Sequence, residues 1–194
     1  MNRKGLSSLG LIILAVMVLF ACAKPPQTEM AAATAAVEKA KNDSNVTTYA
    51  PDSLKRATDS LEKMNTEAAA KRYDNAKTLA QETVKLAEQA IVDGKAAADR
   101  AQEEAKNLIA SAKATVIEVD NALAAAKKLP RVKLDYTNLT KQFNDAKAGL
   151  AAAEKDQAAG NYKEAVEKAK SARAALSNIL STISNAVQAA SKKK

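Results

Sequence analysis

Reactive side chains are scarce in this 194-residue chain, and most kinds of catalytic site are excluded from the start. Histidine is absent, so the commonest general base and a frequent metal ligand are missing. The neighbouring acids Glu103 and Glu104 are expected to point apart on a helix and to form no acid–base pair. No glycine-rich loop is present to hold a phosphate group. The sequence therefore predicts a protein that is not an enzyme, with no catalytic residue, metal or cofactor.

The remaining polar clusters have simple structural explanations. Asp52, Asp59 and Glu62 have the spacing of an exposed helix face, which favours solvation over cation binding. Tyrosines stand at the predicted helix boundaries, and we expect each ring to close the end of a helical bundle while its hydroxyl stays in water. These tyrosines are Tyr49, Tyr73, Tyr136 and Tyr162.

The single cysteine, Cys22, follows a segment organised like a secretory signal. A basic N-terminal stretch precedes a hydrophobic run that is too short for a stable membrane span. The motif Leu-Phe-Ala-Cys, which ends at Cys22, resembles the lipobox of bacterial lipoproteins. This resemblance implies that residues 1–21 are a signal peptide, that cleavage occurs before Cys22, and that palmitate-type chains are attached there.

The lipoprotein resemblance also implies a location. Two or three acyl chains hold a protein stably on a bilayer, whereas one chain holds it weakly. Ala23 rather than Asp follows the cysteine, which in the sorting pattern of enteric lipoproteins implies the outer membrane. We expect attachment to its inner leaflet, facing the periplasm, with residues 22–27 as the tether. The net charge of +8 does not point to nucleic acid, because we expect the chain to be exported and because its basic residues form no aromatic-interleaved patch.

An internal repeat organises the rest of the chain. Residues 54–76 align with residues 143–165 at an offset of 89 positions, which pairs Tyr73 with Tyr162. Abundant alanine, with only five glycines and four prolines, is typical of long helices with a thin core. The predicted fold class is all-α: two tandem three-helix bundles that share one continuous helix, with coiled-coil packing. This layout resembles spectrin-type repeats.

The spacing of apolar residues sets the expected helix limits and domains. Small and apolar side chains recur every three or four residues from Ala76 to Leu129, with no stop signal, and all are expected to face inward. Gly94 is the expected kink. The predicted helices cover 28–42, 51–70, 73–128, 135–159 and 162–190. The predicted units are 28–95 and 96–190, followed by a basic tail at 191–194.

A second resemblance covers residues 25–92. Tyr49-Ala50-Pro51, followed later by Tyr73 and Ala76, resembles the pattern of an uncharacterised family of alanine-rich helical envelope lipoproteins. In that family the domain often accompanies OmpA-like peptidoglycan-binding domains, and this chain has none. Arg72 stands where the family pattern usually has Gly or Asn.

The basic C-terminus is a second candidate site of contact with the cell envelope. Lys192, Lys193 and Lys194 resemble, in position, the C-terminal lysine of Braun-type murein lipoproteins, which implies a peptidoglycan contact. We therefore expect a structural or adaptor protein of the cell envelope, an elongated helical rod with surfaces for envelope protein partners. The alternative is a periplasmic binding or chaperone-like module that sequesters an apolar ligand or client.

Overall fold

The computed structural model describes residues 24–192, which form six α-helices and no strand. The all-α prediction is therefore confirmed over this range, and the five predicted helices begin and end within one residue of their expected limits. The chain divides into two compact units, unit 1 up to Lys95 and unit 2 from Ala96 onward. The helices are α1 (Gln27–Lys41), α2 (Ser44–Tyr49), α3 (Pro51–Ala69), α4 (Tyr73–Lys127), α5 (Tyr136–Ala158) and α6 (Tyr162–Ser191).

The short helix α2 was not expected, because the sequence between α1 and α3 was interpreted as a simple break. Asp43 caps it: the side-chain carboxylate accepts hydrogen bonds from the amides of Asn45 at 2.8 Å and Val46 at 3.4 Å. Pro51 then starts α3 at a position where its missing N–H costs little. Val46 is fully buried, so α2 contributes to the core of unit 1.

Unit 1 has a core made mainly of alanine. Helices α1, α2 and α3 pack on one another, and the part of α4 within this unit completes the core. Ser53, Ser60 and Thr83 are also buried here, although their polar side chains did not mark them as core positions. The clustered apolar residues are Ala33, Val37, Ala40, Val46, Ala57, Met64, Ala80, Ala87 and Ala90.

Unit 2 has larger side chains in its core. Helices α5 and α6 pack closely along their length, and the part of α4 in this unit covers them with residues such as Ile109 and Leu123. The prediction that Leu129 faces inward is wrong: the side chain is 44% exposed, because α4 ends at Lys127 and the helical phase is lost. The large buried residues of α5 and α6 are Leu139, Phe143, Leu150, Leu176, Ile179 and Ile183.

The two units share their turn geometry. Helices α3 and α5 end 89 positions apart, and α4 and α6 begin 89 positions apart. Among the described residues, Lys71 (φ 62°) and Gly160 (φ 81°) have a positive φ, and they too are separated by this offset. Each turn therefore reverses the chain through a left-handed residue, and only one unit has the glycine that adopts this conformation without strain.

Gly94 allows a close approach between backbones. It lies within α4 and is buried, and a Cβ at this position would stand 2.8 Å from the Val46 nitrogen and 2.9 Å from its Cα. Any larger residue would therefore collide with the backbone of α2. The kink expected here stays a prediction, whereas the packing of α2 against Gly94 is a direct reason for the glycine.

Candidate functional site

The site residues predicted from the sequence lie at or beyond the limits of the described chain. Cys22, Lys193 and Lys194 are outside the described residues, so the lipidation and tail-contact expectations stay predictions. Lys192 is described: it forms the C-cap of α6, and its amide donates a hydrogen bond to the Gln188 carbonyl at 3.2 Å. Its side chain is exposed.

The acidic residues are engaged in separate ion pairs. Glu104 accepts from Lys170 at 2.8 Å, and this hydrogen bond raises the pKa of the Lys170 ammonium. The neighbouring Glu103 instead lies 3.8 Å from Lys106. Asp59 pairs with Lys55 at 2.6 Å. In the part of the chain that the structure describes, no group of three or more metal-ligating side chains is close enough to hold an ion.

A partly buried polar cluster joins α3 to α4 within unit 1. Ser53 donates to the Asp93 carboxylate at 2.6 Å and accepts from the Arg56 guanidinium at 2.8 Å. Gln89 donates to the other oxygen of Asp93 at 2.8 Å, and Arg56 stands 3.8 Å from this carboxylate. The Ser53 hydroxyl is thus held between a carboxylate and a cation. This arrangement clamps the two helices together.

A second polar contact lies deeper between the same helices. The hydroxyls of Ser60 and Thr83 are 2.8 Å apart, and Thr83 is fully buried. Each hydroxyl gives the other a partner in an otherwise apolar environment, which avoids the cost of an unsatisfied polar group. Sequence periodicity missed both residues because it ranks positions by hydrophobicity, and hydroxyl side chains do not stand out on that scale.

An ion pair of Arg72 fixes the turn between α3 and α4. Arg72 stands where the family pattern described above usually has Gly or Asn. Arg72 donates to both oxygens of Glu67 at 2.6 Å, and Asn75 donates to the same carboxylate at 3.0 Å. The Arg72 and Asn75 hydrogen bonds lower the pKa of Glu67 to about 2. An arginine at this place therefore holds the turn by binding back to α3.

A groove on unit 1 is lined mainly by polar side chains. An open groove of about 680 Å³ between α3 and α4 is lined by side chains such as Glu62, Lys63 and Thr66, with Leu79 as its large apolar residue. An apolar ligand or client segment would need a mostly hydrophobic lining. This groove does not supply one.

Tyr136 differs from its expected environment. Its hydroxyl oxygen is buried and has no hydrogen-bond partner among the described residues, so the prediction of a hydrated hydroxyl is wrong at this position. The ring packs against the core of unit 2, and the Lys127 ammonium lies 5.8 Å from the ring centroid. The start of α5 thus buries more of this tyrosine than a helix boundary suggests.

A basic surface lies at one end of unit 2. We call it the basic end and define it by Lys127, Lys128, Arg131, Lys133 and Lys192. The loop after α4 packs on the last turns of α6, where a groove of about 480 Å³ is lined by Pro130, Arg131, Lys133, Ala186, Ala189 and Ala190. Packing places the loop on the last turns of α6, which end just before Lys192, although the two segments are far apart in the sequence. The run "KKLPRVK" was the signal that could have identified it.

One comparison with known proteins finds a match to part of the chain. The sequence model of a domain of unknown function (DUF4398) matches residues 28–114, so this segment is similar to proteins of an uncharacterised family. The match spans α1, α2, α3 and much of α4. No curated protein and no solved structure matches the chain. Within residues 24–192, no helix is both long and apolar enough to cross a membrane.

Proposed function

We propose that this chain is a non-enzymatic lipoprotein of the bacterial cell envelope, anchored through Cys22 and acting as a structural or adaptor protein. The observation that carries the proposal is the Leu-Phe-Ala-Cys motif at the end of a short hydrophobic segment. Helix α1 begins at Gln27, so a lipid on Cys22 would be joined to unit 1 by only a few residues. We place the protein on the periplasmic side of the outer membrane.

The described helices support a role in presenting surfaces to other proteins. Their exposed faces carry many lysines and acids in short-range pairs, such as Lys141 with Asp145 at 3.2 Å. The matching turns at Lys71 and Gly160 support an origin by tandem duplication, with two spectrin-like three-helix bundles sharing α4. Envelope proteins are the proposed partners, and cross-linking in intact envelopes followed by purification would identify them.

The lipid anchor is tested by replacing Cys22. The Cys22→Ala variant should take up no labelled palmitate, because the acceptor sulfur is gone, and it should no longer be retained by lipid in the membrane fraction. Lys24→Ala is the matched control, since it alters the same segment and leaves the acceptor in place. Continued labelling of Cys22→Ala would overturn the lipoprotein proposal.

Covalent attachment of the C-terminal tail to peptidoglycan is tested in a separate experiment. Muramidase digestion of the cell wall should leave the mass of the protein unchanged, as expected for a chain held by its lipid alone. A muropeptide adduct on Lys194 would instead show covalent attachment at the C-terminus.

A further inference from the structure

Basic side chains are concentrated at the basic end of unit 2. Residues 127–135 contain four basic side chains and one acid, Asp135. The Asp135 carboxylate accepts a hydrogen bond from the Asn138 amide at 3.0 Å and caps α5. No acidic side chain follows Glu167 in the sequence, so the last turns of α6 bring no carboxylate side chain to this end, and Lys192 caps that helix. This end therefore attracts anions.

The packing of the loop holds these charges together. Val132 is buried in the core of unit 2, and Leu134 packs against the same cluster as Ala186 and Ala190 of α6. The loop is thereby seated on the C-terminal turns of α6. Arg131 and Lys133 line one side of the groove whose other side is the alanine surface of that helix.

An exposed apolar side chain stands among the charges. Leu129 is 44% exposed and lies between Lys128 and Arg131 in the sequence. Binding of a soluble polyanion requires basic side chains but no exposed apolar one. Single-stranded nucleic acid is usually bound with stacking aromatic side chains. Tyr136 is the aromatic residue of the loop region, and its hydroxyl end is buried. Basic residues that surround an exposed leucine fit a charged lipid surface, where the cations meet headgroups and the leucine reaches the acyl boundary.

We propose that the basic end of unit 2 docks on a bilayer surface that contains anionic phospholipid. Lys127, Lys128, Arg131, Lys133 and Lys192 contact the phosphate-bearing headgroups, and Leu129 enters the interface. This contact is distinct from the lipid anchor, because it lies in the other unit and requires no modification of the chain.

The test uses a chain without the anchor. A protein that begins at residue 22 with Cys22→Ser contains all six described helices and every described core cluster, and circular dichroism verifies its helicity. Binding is measured by flotation with vesicles of phosphatidylcholine, and with vesicles in which phosphatidylglycerol replaces part of that lipid. We expect binding to the anionic vesicles only, weakening as salt is added.

Substitutions then locate the contact. Lys128→Gln with Lys133→Gln should weaken binding by roughly 25-fold, at about fivefold for each charge removed. The matched control is Lys141→Gln with Lys155→Gln, which removes the same charge from the exposed surface of α5 in the same unit and should retain binding. Leu129→Ala keeps the charge and should weaken binding roughly 3- to 10-fold.

Several results would overturn the proposal. These are equal binding to both kinds of vesicle, equal losses in the two double variants, and no effect of Leu129→Ala. Binding to isolated peptidoglycan with none to anionic vesicles would assign the surface to the cell wall instead. The proposed lipid anchor on Cys22 would remain unaffected by any of these outcomes, since the tested chain lacks it.

Discussion

At the residue scale, Gly94 should be sensitive to the addition of one methyl group. Alanine is favoured over glycine in a helix by about 1 kcal/mol. A Cβ at position 94, however, would meet backbone atoms of Val46 and Asn45 at 2.8 to 3.0 Å, and backbone cannot rotate away. We expect Gly94→Ala to lower the free energy of unfolding by roughly 1–3 kcal/mol, measured by urea denaturation.

Gly149 provides the matched control for this substitution. It also lies inside a helix, α5, but a Cβ there would have only the Ala172 Cβ as a neighbour, at an ordinary 3.9 Å. Gly149→Ala should therefore raise the free energy of unfolding by roughly 0.5–1 kcal/mol. Stabilisation by Gly94→Ala would contradict the close approach, and an equal destabilisation by Gly149→Ala would show that the loss at position 94 is not specific to it.

The lowered pKa of Glu67 predicts that the thermal stability of the fold depends on pH. The Arg72 and Asn75 hydrogen bonds lower its pKa from 4.5 to about 2. A carboxyl group whose pKa is lower in the folded state stabilises the fold above its unfolded-state pKa, and this contribution is lost as the pH falls toward the folded-state value. Thermal denaturation between pH 4.5 and about 2 should show a steeper loss of stability for the wild-type chain than for Glu67→Gln.

The cation at position 72 provides the check on this prediction. Arg72→Gln removes the partner that contributes most to the lowered pKa of Glu67. It should flatten the pH dependence in the same range, although the carboxyl group remains. Identical pH profiles for Arg72→Gln and the wild-type chain would show that the ion pair adds nothing to the stability of the turn.

At the element scale, the packing of α3 on α4 depends on a paired hydroxyl contact. Ser60→Ala should leave the Thr83 hydroxyl buried without its partner and lower the free energy of unfolding by roughly 1–3 kcal/mol. The double variant Ser60→Ala with Thr83→Val removes both hydroxyls and should cost less than the sum of the single changes. Denaturation of all four chains completes the cycle, and strictly additive effects would contradict the pairing.

Helices with a long, regular spacing of apolar residues could be predicted from the sequence. Short helices and polar contacts could not. The limits of α4 followed from apolar spacing and the absence of stop signals. Helix α2 was missed because six polar-rich residues are too few to establish a period. The anchor motif and the terminal lysines can be recognised in the sequence. The basic loop at 127–133 was missed as part of the same surface, because only tertiary packing places it on the last turns of α6.

At the scale of the whole molecule, the two units differ in how much apolar surface each buries. The buried polar residues Ser53, Ser60 and Thr83 are all in unit 1, whose core is mostly alanine. Unit 2 buries larger side chains such as Phe143 and Leu176. Because burial of apolar area is the main contribution that stabilises a fold, unit 1 should open locally more readily than unit 2.

Hydrogen exchange followed by mass spectrometry would measure this difference. Amides in α1 and α3 should exchange faster than amides in α5 and α6, because local opening in unit 1 exposes less apolar surface. Equal protection in the two sets of helices, or greater protection in unit 1, would contradict this expectation. Leu176→Ala should reduce the protection of α5 and α6 toward that of unit 1, since it leaves a cavity in the larger core.

The contact between Gly94 and α2 also constrains how such sequences can diverge. At the offset of 89 positions, the counterpart of Gly94 is Ile183, which is buried, and the connection between α4 and α5 contains no separate short helix. Unit 1 thus has a short helix packed against a glycine, whereas unit 2 has a large buried side chain 89 positions later. In descendants of this chain, glycine at position 94 and a helix at 44–49 should be inherited or lost together.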